Sequence, residues 1–161
     1  MVFLGITLKK RNLMKSNSEL LENLILQNIN YKDVISAFAE GDKFPILKND
    51  LREQIQDKIA CITELEDAYL KTKTLEQLET NTEPSVDPIF WINLTQLHEK
   101  NSLSTTITYI NQALRQAKND YNVLICQTQN NQNLFTILSM QQDRMELMAQ
   151  RLNSYLLNQT A

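Results

Sequence analysis

The sequence predicts an all-α protein, an elongated antiparallel helical bundle or coiled coil with a long C-terminal helix. Among its 161 residues there are only 2 Gly and 3 Pro, whereas β-sheet folds need many such residues in their turns. Apolar residues instead recur every three or four positions, which is the spacing of one helix face. Aromatic residues make up only 7% of the chain, which favours a slender bundle over a thick globular core.

We predict one helical domain over residues 16–161, preceded by a flexible extension over residues 1–15. Because Met14 begins the sequence MKSNSELLENL, residues 1–13 can be read either as an upstream extension or as an ordinary disordered tail. The apolar run in this extension precedes its basic residues, which is the reverse of a secretory signal. No run of about 18 apolar residues predicts a membrane-spanning helix.

The first helix is predicted to begin at Ser16 and to end near Gly41. Ser16 and Glu19 have the spacing of a capping box. The sequence GDKFP at residues 41–45 predicts a turn between two antiparallel helices. Gly41 suits the left-handed conformation just past a helix end, and Asp42 suits the cap of the next helix. A single helix that is kinked at this point is the competing interpretation.

The second helix is predicted to run to about Leu78. Its apolar stripe consists of Leu47, Leu51, Ile55, Ile59, Ile62, Leu65 and Tyr69. The sequence TNTEPSVDP at residues 80–88 predicts a loop, because two prolines and several small polar residues interrupt the apolar period. Trp91 then predicts a hydrophobic plug for the bundle, and Cys61 is expected in the core as a reduced thiol.

The C-terminal region has the most regular apolar pattern. Steps of four and three from Leu103 to Leu156 give sixteen positions, thirteen of them apolar, with no Gly or Pro after residue 88. This predicts one continuous helix over about residues 103–157 with a coiled-coil seam, roughly 80 Å long. Since the first two helices are shorter, part of the stripe should stay uncovered and could serve as a binding surface. We expect core over residues 103–124, and either core or partner surface over residues 128–156.

The sequence contains no recognisable catalytic, metal or nucleic-acid site. The net charge is −3, and the cations clustered near Lys9 are too few for a phosphate-binding surface. His98 is the only histidine, whereas a zinc site needs three or four ligands. The carboxylates of the second helix, such as Glu64, have the spacing of a solvated face with weak ion pairs. We therefore expect a non-enzymatic binding protein without a cofactor.

Several short motifs resemble the FlgN-type flagellar export chaperones. The end of the first helix, AEGD at residues 39–42, is similar to the break between helices in that family. The sequence NNQNLF at residues 130–135 is similar to the family's Asn-x-x-Asn motif, which is followed by paired apolar residues. The trailing apolar positions of the last helix also resemble those of the family.

The resemblance implies a cytoplasmic export chaperone of the flagellar type III secretion pathway. Such a protein binds the C-terminal helices of the hook–filament junction proteins through its last helix and delivers them to the export apparatus. The expected partner-binding residues are Asn131, Leu134, Phe135, Leu138, Met145, Met148 and Leu152. Two alternatives stay open: another type III secretion chaperone with different cargo, and a self-associating structural coiled coil that forms a homodimer.

Overall fold

The structure, a computed structural model, describes residues 15–75 and 89–159. Within these residues the helices are α1 (Asn17–Glu40), α2 (Lys48–Leu75), α3 (Leu94–His98), α4 (Leu103–Gln127) and α5 (Gln132–Gln159), and a 3-10 turn covers Pro45–Leu47. The all-α helical-bundle prediction is confirmed. Residues 1–14, the end of the second helix near Leu78 and the predicted loop over residues 80–88 lie outside the described residues.

Helices α1 and α2 form an antiparallel hairpin. The hydroxyl of Ser16 caps α1 by accepting a hydrogen bond from the backbone N–H of Glu19 at 3.2 Å. The chain leaves the helix after Glu40 and enters the 3-10 turn at Pro45. The interpretation of this region as one kinked helix is therefore wrong, because the chain reverses direction at residues 41–44.

The left-handed residue of this turn is Asp42, whose φ is 49°. Gly41 has a φ of −68° and a ψ of −15°, which is ordinary helical backbone. The expectation for Gly41 is wrong because the chain keeps the helical conformation for one residue longer. Asp42 does not cap the next helix either, since the N-cap of the 3-10 turn is Phe44, which makes no side-chain cap hydrogen bond.

The prediction of one continuous C-terminal helix is wrong, because α4 ends at Gln127 and α5 begins at Gln132. The hydroxyl of Thr128 donates to the carbonyl oxygen of Leu124 at 2.9 Å. The side-chain oxygen of Asn131 accepts from the backbone N–H of Leu134 at 3.2 Å, which caps α5. A turn without Gly or Pro forms here because Asn and Thr side chains satisfy the backbone groups that the interruption leaves free.

The four long helices form a bundle in which every neighbouring pair is antiparallel. α1 packs against α2 and α4, and α5 packs against α4 and α2. Asn28 near the middle of α1 contacts Tyr121 in the second half of α4, whereas Phe38 near the end of α1 contacts His98 just before α4. The chain therefore returns to the starting end of α2 before α4 begins.

The four helices are similar in length, with 24, 28, 25 and 28 residues in chain order. At 1.5 Å per residue they are roughly 36–42 Å long. The expected 80 Å rod with an uncovered stripe is thus replaced by two hairpins that cover each other. The core includes Trp91, which confirms that this residue packs as part of the bundle interior.

Candidate partner-binding site

The predicted partner-binding residues lie on α5 and at its cap, and most of them belong to the core. Five are buried: Leu134, Leu138, Met145, Met148 and Leu152. Phe135 is half-buried and Asn131, the cap of α5, is exposed. The expectation that this stripe is uncovered is wrong, because α5 folds back along α4 and also packs against α2.

Polar contacts along one edge hold α5 to α4. The amide nitrogen of Gln142 donates to the carbonyl oxygen of Lys118 at 3.1 Å and to the side-chain oxygen of Asn122 at 2.7 Å. The ammonium of Lys118 forms an ion pair with Glu146 at 3.1 Å. Gln142, which interrupts the apolar period in the sequence, is thus a contact between the two helices of one hairpin.

The opposite edge of α5 contacts α2 through charges, and we call this contact the α2–α5 seam. Four acidic residues of α2 lie along it: Asp50, Glu53, Asp57 and Glu64. Arg144 of α5 pairs with Asp57 at 2.7 Å and with Glu64 at 3.0 Å. Arg151 pairs with Glu53, and the hydroxyl of Tyr155 donates to Asp50. The seam is therefore an acidic strip that faces two arginines.

The contact between α1 and α4, which we call the α1–α4 seam, is bridged by the segment that precedes α3. The side chain of Gln27 donates to the carbonyl oxygen of Ile89 at 2.7 Å and accepts from the backbone N–H of Trp91 at 2.9 Å. The indole N–H of Trp91 in turn donates to Asp120 of α4 at 2.7 Å. This segment therefore binds both helices of the seam.

A cluster of buried polar side chains lies in the bundle interior, and the predicted stripes did not include Asn28, Gln54, Lys58 or Gln141. Its members are Asn28, Tyr31, Gln54, Lys58, Tyr121 and Gln141, each at most 1% exposed. Asn28 donates to the hydroxyl of Tyr121 at 3.0 Å, and this hydroxyl donates to Gln141 at 2.7 Å. Burial raises the pKa of both Tyr31 and Tyr121 above 10, so that both phenols stay protonated.

Lys58 is fully buried within this cluster. Its Nζ lies 5.0 Å from the ring centre of Tyr31 and 6.0 Å from that of Trp91. Among the described residues no group accepts a hydrogen bond from Nζ. Burial lowers the pKa of Lys58, and the nearby carboxylate of Asp57 and thiol of Cys61 oppose this effect only in part. A buried ammonium group without a hydrogen-bond partner is energetically unfavourable, whereas the same group is stable when water surrounds it.

The described residues contain no grouped metal ligands, and the single histidine and both cysteines have separate surroundings. No three His, Cys, Asp or Glu residues there are grouped so that they could hold a metal ion. The ring of His98 packs against Phe38 with a centroid distance of 5.6 Å. Cys61 is buried, Cys126 is exposed, and both are free thiols.

In comparisons with known proteins, no family model, curated protein or solved structure matches this chain. Of the helices in the described residues, none has the length and apolar character needed to cross a lipid bilayer.

Proposed function

We propose that this protein is a cytoplasmic export chaperone of the flagellar type III secretion pathway, similar to FlgN. Its cargo would be the C-terminal helices of the hook–filament junction proteins, held through the inner face of α5. The proposal is supported by the resemblance of residues 39–42 and 130–135 to that family and by the all-α hairpin architecture. An amphipathic helix is the usual ligand of an apolar groove between helices.

The observation that carries the proposal is the character of the surface that covers α5. The buried stripe of α5, which includes Leu138 and Met145, is the kind of apolar helix face that pairs with an amphipathic helix once it is uncovered. The α2–α5 seam that covers one side of this stripe consists of ion pairs and hydrogen bonds around Arg144. Ion pairs at a partly solvated surface contribute little net free energy, so a partner helix can compete for the stripe.

Cargo capture can be tested by co-expression with candidate junction proteins followed by co-purification. Leu138 is unsuitable for substitution because it is fully buried and its loss would disturb the fold. Phe135 is half-buried at the start of α5, and Phe44 is half-buried in the turn of the first hairpin, so Phe44→Ser is a matched control. We expect Phe135→Ser to lose the co-purifying cargo and Phe44→Ser to retain it, with equal helicity by circular dichroism.

Retention of cargo by Phe135→Ser, or equal loss in both variants, would contradict a site on α5. A complex with secretion substrates other than the junction proteins would instead indicate a type III chaperone with different cargo. The same co-purification therefore separates these two related functions.

A self-associating coiled coil is the second candidate function. Met140 and Leu147 lie seven residues apart on the outer face of α5, and each is more than half exposed. Apolar residues at this spacing are typical of a helix-pairing seam. Sedimentation velocity at micromolar concentration tests this function. A stable dimer that dissociates in a Met140→Lys, Leu147→Lys variant would support it, and a monomer would exclude it at that concentration.

A further inference from the structure

The two long seams between the hairpins differ in how they are held. On the α1–α4 side, the segment containing Trp91 binds both helices. The backbone N–H of Trp91 donates to the side-chain oxygen of Gln27 of α1, and its indole N–H donates to Asp120 of α4. On the α2–α5 side, no described segment bridges the helices. Side-chain contacts around Arg144 and Arg151, together with the hydrogen bond from Gln141 to Cys61, hold this side.

The interior between the two hairpins contains polar atoms whose hydrogen-bonding capacity is not used. Three of its buried polar atoms have no hydrogen-bond partner among the described residues: Nζ of Lys58, Nε2 of Gln54 and Oδ1 of Asn28. Buried polar groups in folded proteins are nearly always paired, and a buried unpaired charge is the least favourable case. Water that reaches Nζ of Lys58 would remove the least favourable of these unsatisfied groups.

We propose that the bundle opens along the α2–α5 seam, with the α1–α4 seam as the hinge, and that hydration of Lys58 favours the open state. The opening exposes the buried stripe of α5 while both helical hairpins stay intact. Sub-global openings of this kind require less free energy than complete unfolding. That the exposed stripe receives a cargo helix rests on the proposed function, whereas the opening itself is a property of the free protein.

Several charged and titratable groups surround Lys58. Tyr31 faces it from α1, Asp57 and Cys61 lie within one turn of it on α2, and Arg144 acts on it from α5. Arg144 is a cation and lowers the pKa of Lys58, so its charge adds to the preference of Lys58 for the open state. The contacts of Arg144 across the seam oppose this preference by holding the bundle closed.

The chain contains a built-in probe of the opening. Cys61 is fully buried at the α2–α5 seam, where its carbonyl oxygen accepts from Gln141 and its Sγ lies 3.4 Å from Nη2 of Arg144. Cys126 is exposed. A thiol reagent such as Ellman's reagent should modify Cys126 at once, and Cys61 only when the seam opens. A Cys126→Ser variant identifies the phase that belongs to Cys61.

The first measurement compares two free energies in the full chain without cargo. The rate at which Cys61 is labelled, divided by the rate in the unfolded chain, gives the equilibrium constant of opening and hence its free energy. Urea denaturation gives the free energy of global unfolding. We expect the opening to have the smaller free energy and the weaker dependence on urea. Equal values and equal urea dependence would overturn the proposal, because Cys61 would then react only after complete unfolding.

The second measurement tests the role of Lys58. Lys58→Met should slow the labelling of Cys61 roughly tenfold, since it removes the group that gains most from hydration. Lys73→Met, an exposed substitution on the same helix with the same charge change, should leave the rate unchanged. Faster labelling in Lys58→Met would overturn the proposal, since the ammonium would then hold the bundle closed through the rings of Tyr31 and Trp91. Because cargo is absent, neither result depends on the chaperone proposal.

Discussion

The hydroxyl of Tyr121 donates a hydrogen bond to the side-chain oxygen of Gln141 at 2.7 Å and so joins α4 to α5 inside the bundle. The same hydroxyl accepts from Nδ2 of Asn28 at 3.0 Å, which extends the contact to α1. All three side chains are fully buried. Because none can turn to solvent, the hydroxyl of Tyr121 depends on Asn28 and Gln141 for its hydrogen bonds.

We expect Tyr121→Phe to lower the free energy of unfolding by about 1–3 kcal/mol, because it leaves the oxygen of Gln141 buried without a donor. Urea denaturation followed by circular dichroism measures this loss. Tyr109→Phe is the matched control, since its hydroxyl bonds with exposed groups of Asn93 and Gln96, and it should change the free energy by less than about 0.5 kcal/mol. An equal effect of both substitutions would contradict the buried hydrogen-bond chain.

The sequence predicts the all-α class and the first hairpin, but not the turn between α4 and α5. Apolar residues recur at the same spacing on both sides of Thr128 and Asn131, because both helices of the antiparallel hairpin direct an apolar face to the same core. The spacing therefore resembles that of one continuous helix. The polar stretch TQNNQN at residues 128–133 is the local signal of the turn. The sequence analysis did not predict a turn here because the stretch contains neither Gly nor Pro. Asn, however, can also end a helix and cap the next one.

The buried polar cluster is also hard to predict from sequence. The apolar stripe of α2 was predicted to pass through Ile59, yet Ile59 is 45% exposed and Lys58 is fully buried. Adjacent residues of a helix point about 100° apart. Both Lys58 and Ile59 lie three or four residues from the neighbouring apolar residues of the stripe, so the spacing alone allows either of them to face the core. Lysine is rarely buried without a partner, so composition favours Ile59. The packing of Tyr31 and Trp91 against Lys58 decides the rotation, and this packing involves distant segments.

Lys58→Met should raise the free energy of unfolding by about 1–3 kcal/mol at pH 7, because methionine can be buried without an unsatisfied charge. The pKa of Lys58 is lowered from 10.5 in the folded protein, so the unfolded chain binds more protons. The contribution of Lys58 to stability therefore becomes less unfavourable as the pH rises from its lowered folded-state pKa to about 10.5. The advantage of Lys58→Met should accordingly shrink between pH 7 and pH 10.

Urea denaturation of both proteins at several pH values measures this difference. Tyr31 and Tyr121 have raised pKa values when folded, so their contribution to stability is present below pH 10 and is lost as the pH rises further. Below pH 10 this contribution is present in both proteins, so the comparison is made there. A difference that stays constant from pH 7 to pH 10 would show that Lys58 binds equal numbers of protons in the folded and unfolded states.

Asn131→Ala should lower the free energy of unfolding by about 1 kcal/mol, because Asn131 supplies the side-chain cap of α5. The exposed Asn133 lies two residues further along, inside the first turn of the helix, and Asn133→Ala is the matched control. Since alanine has the higher helix propensity, the control should be neutral or slightly stabilising. If both variants had the same stability as the unsubstituted protein, the chain would not have a capped helix start at this position.

The first turn gives a prediction in which two neighbouring residues respond oppositely. Gly41 has a helical φ of −68°, and a Cβ added there would meet the carbonyl oxygen of Phe38 at 3.4 Å, an ordinary contact. Gly41→Ala should therefore raise the free energy of unfolding by about 0.4–1 kcal/mol by reducing the freedom of the unfolded chain. Asp42 has a φ of 49°, which alanine tolerates less well than aspartate, so Asp42→Ala should lower the free energy of unfolding. Thermal denaturation of the two variants measures both signs, and a loss of stability in Gly41→Ala would show that Gly41 is the left-handed residue after all.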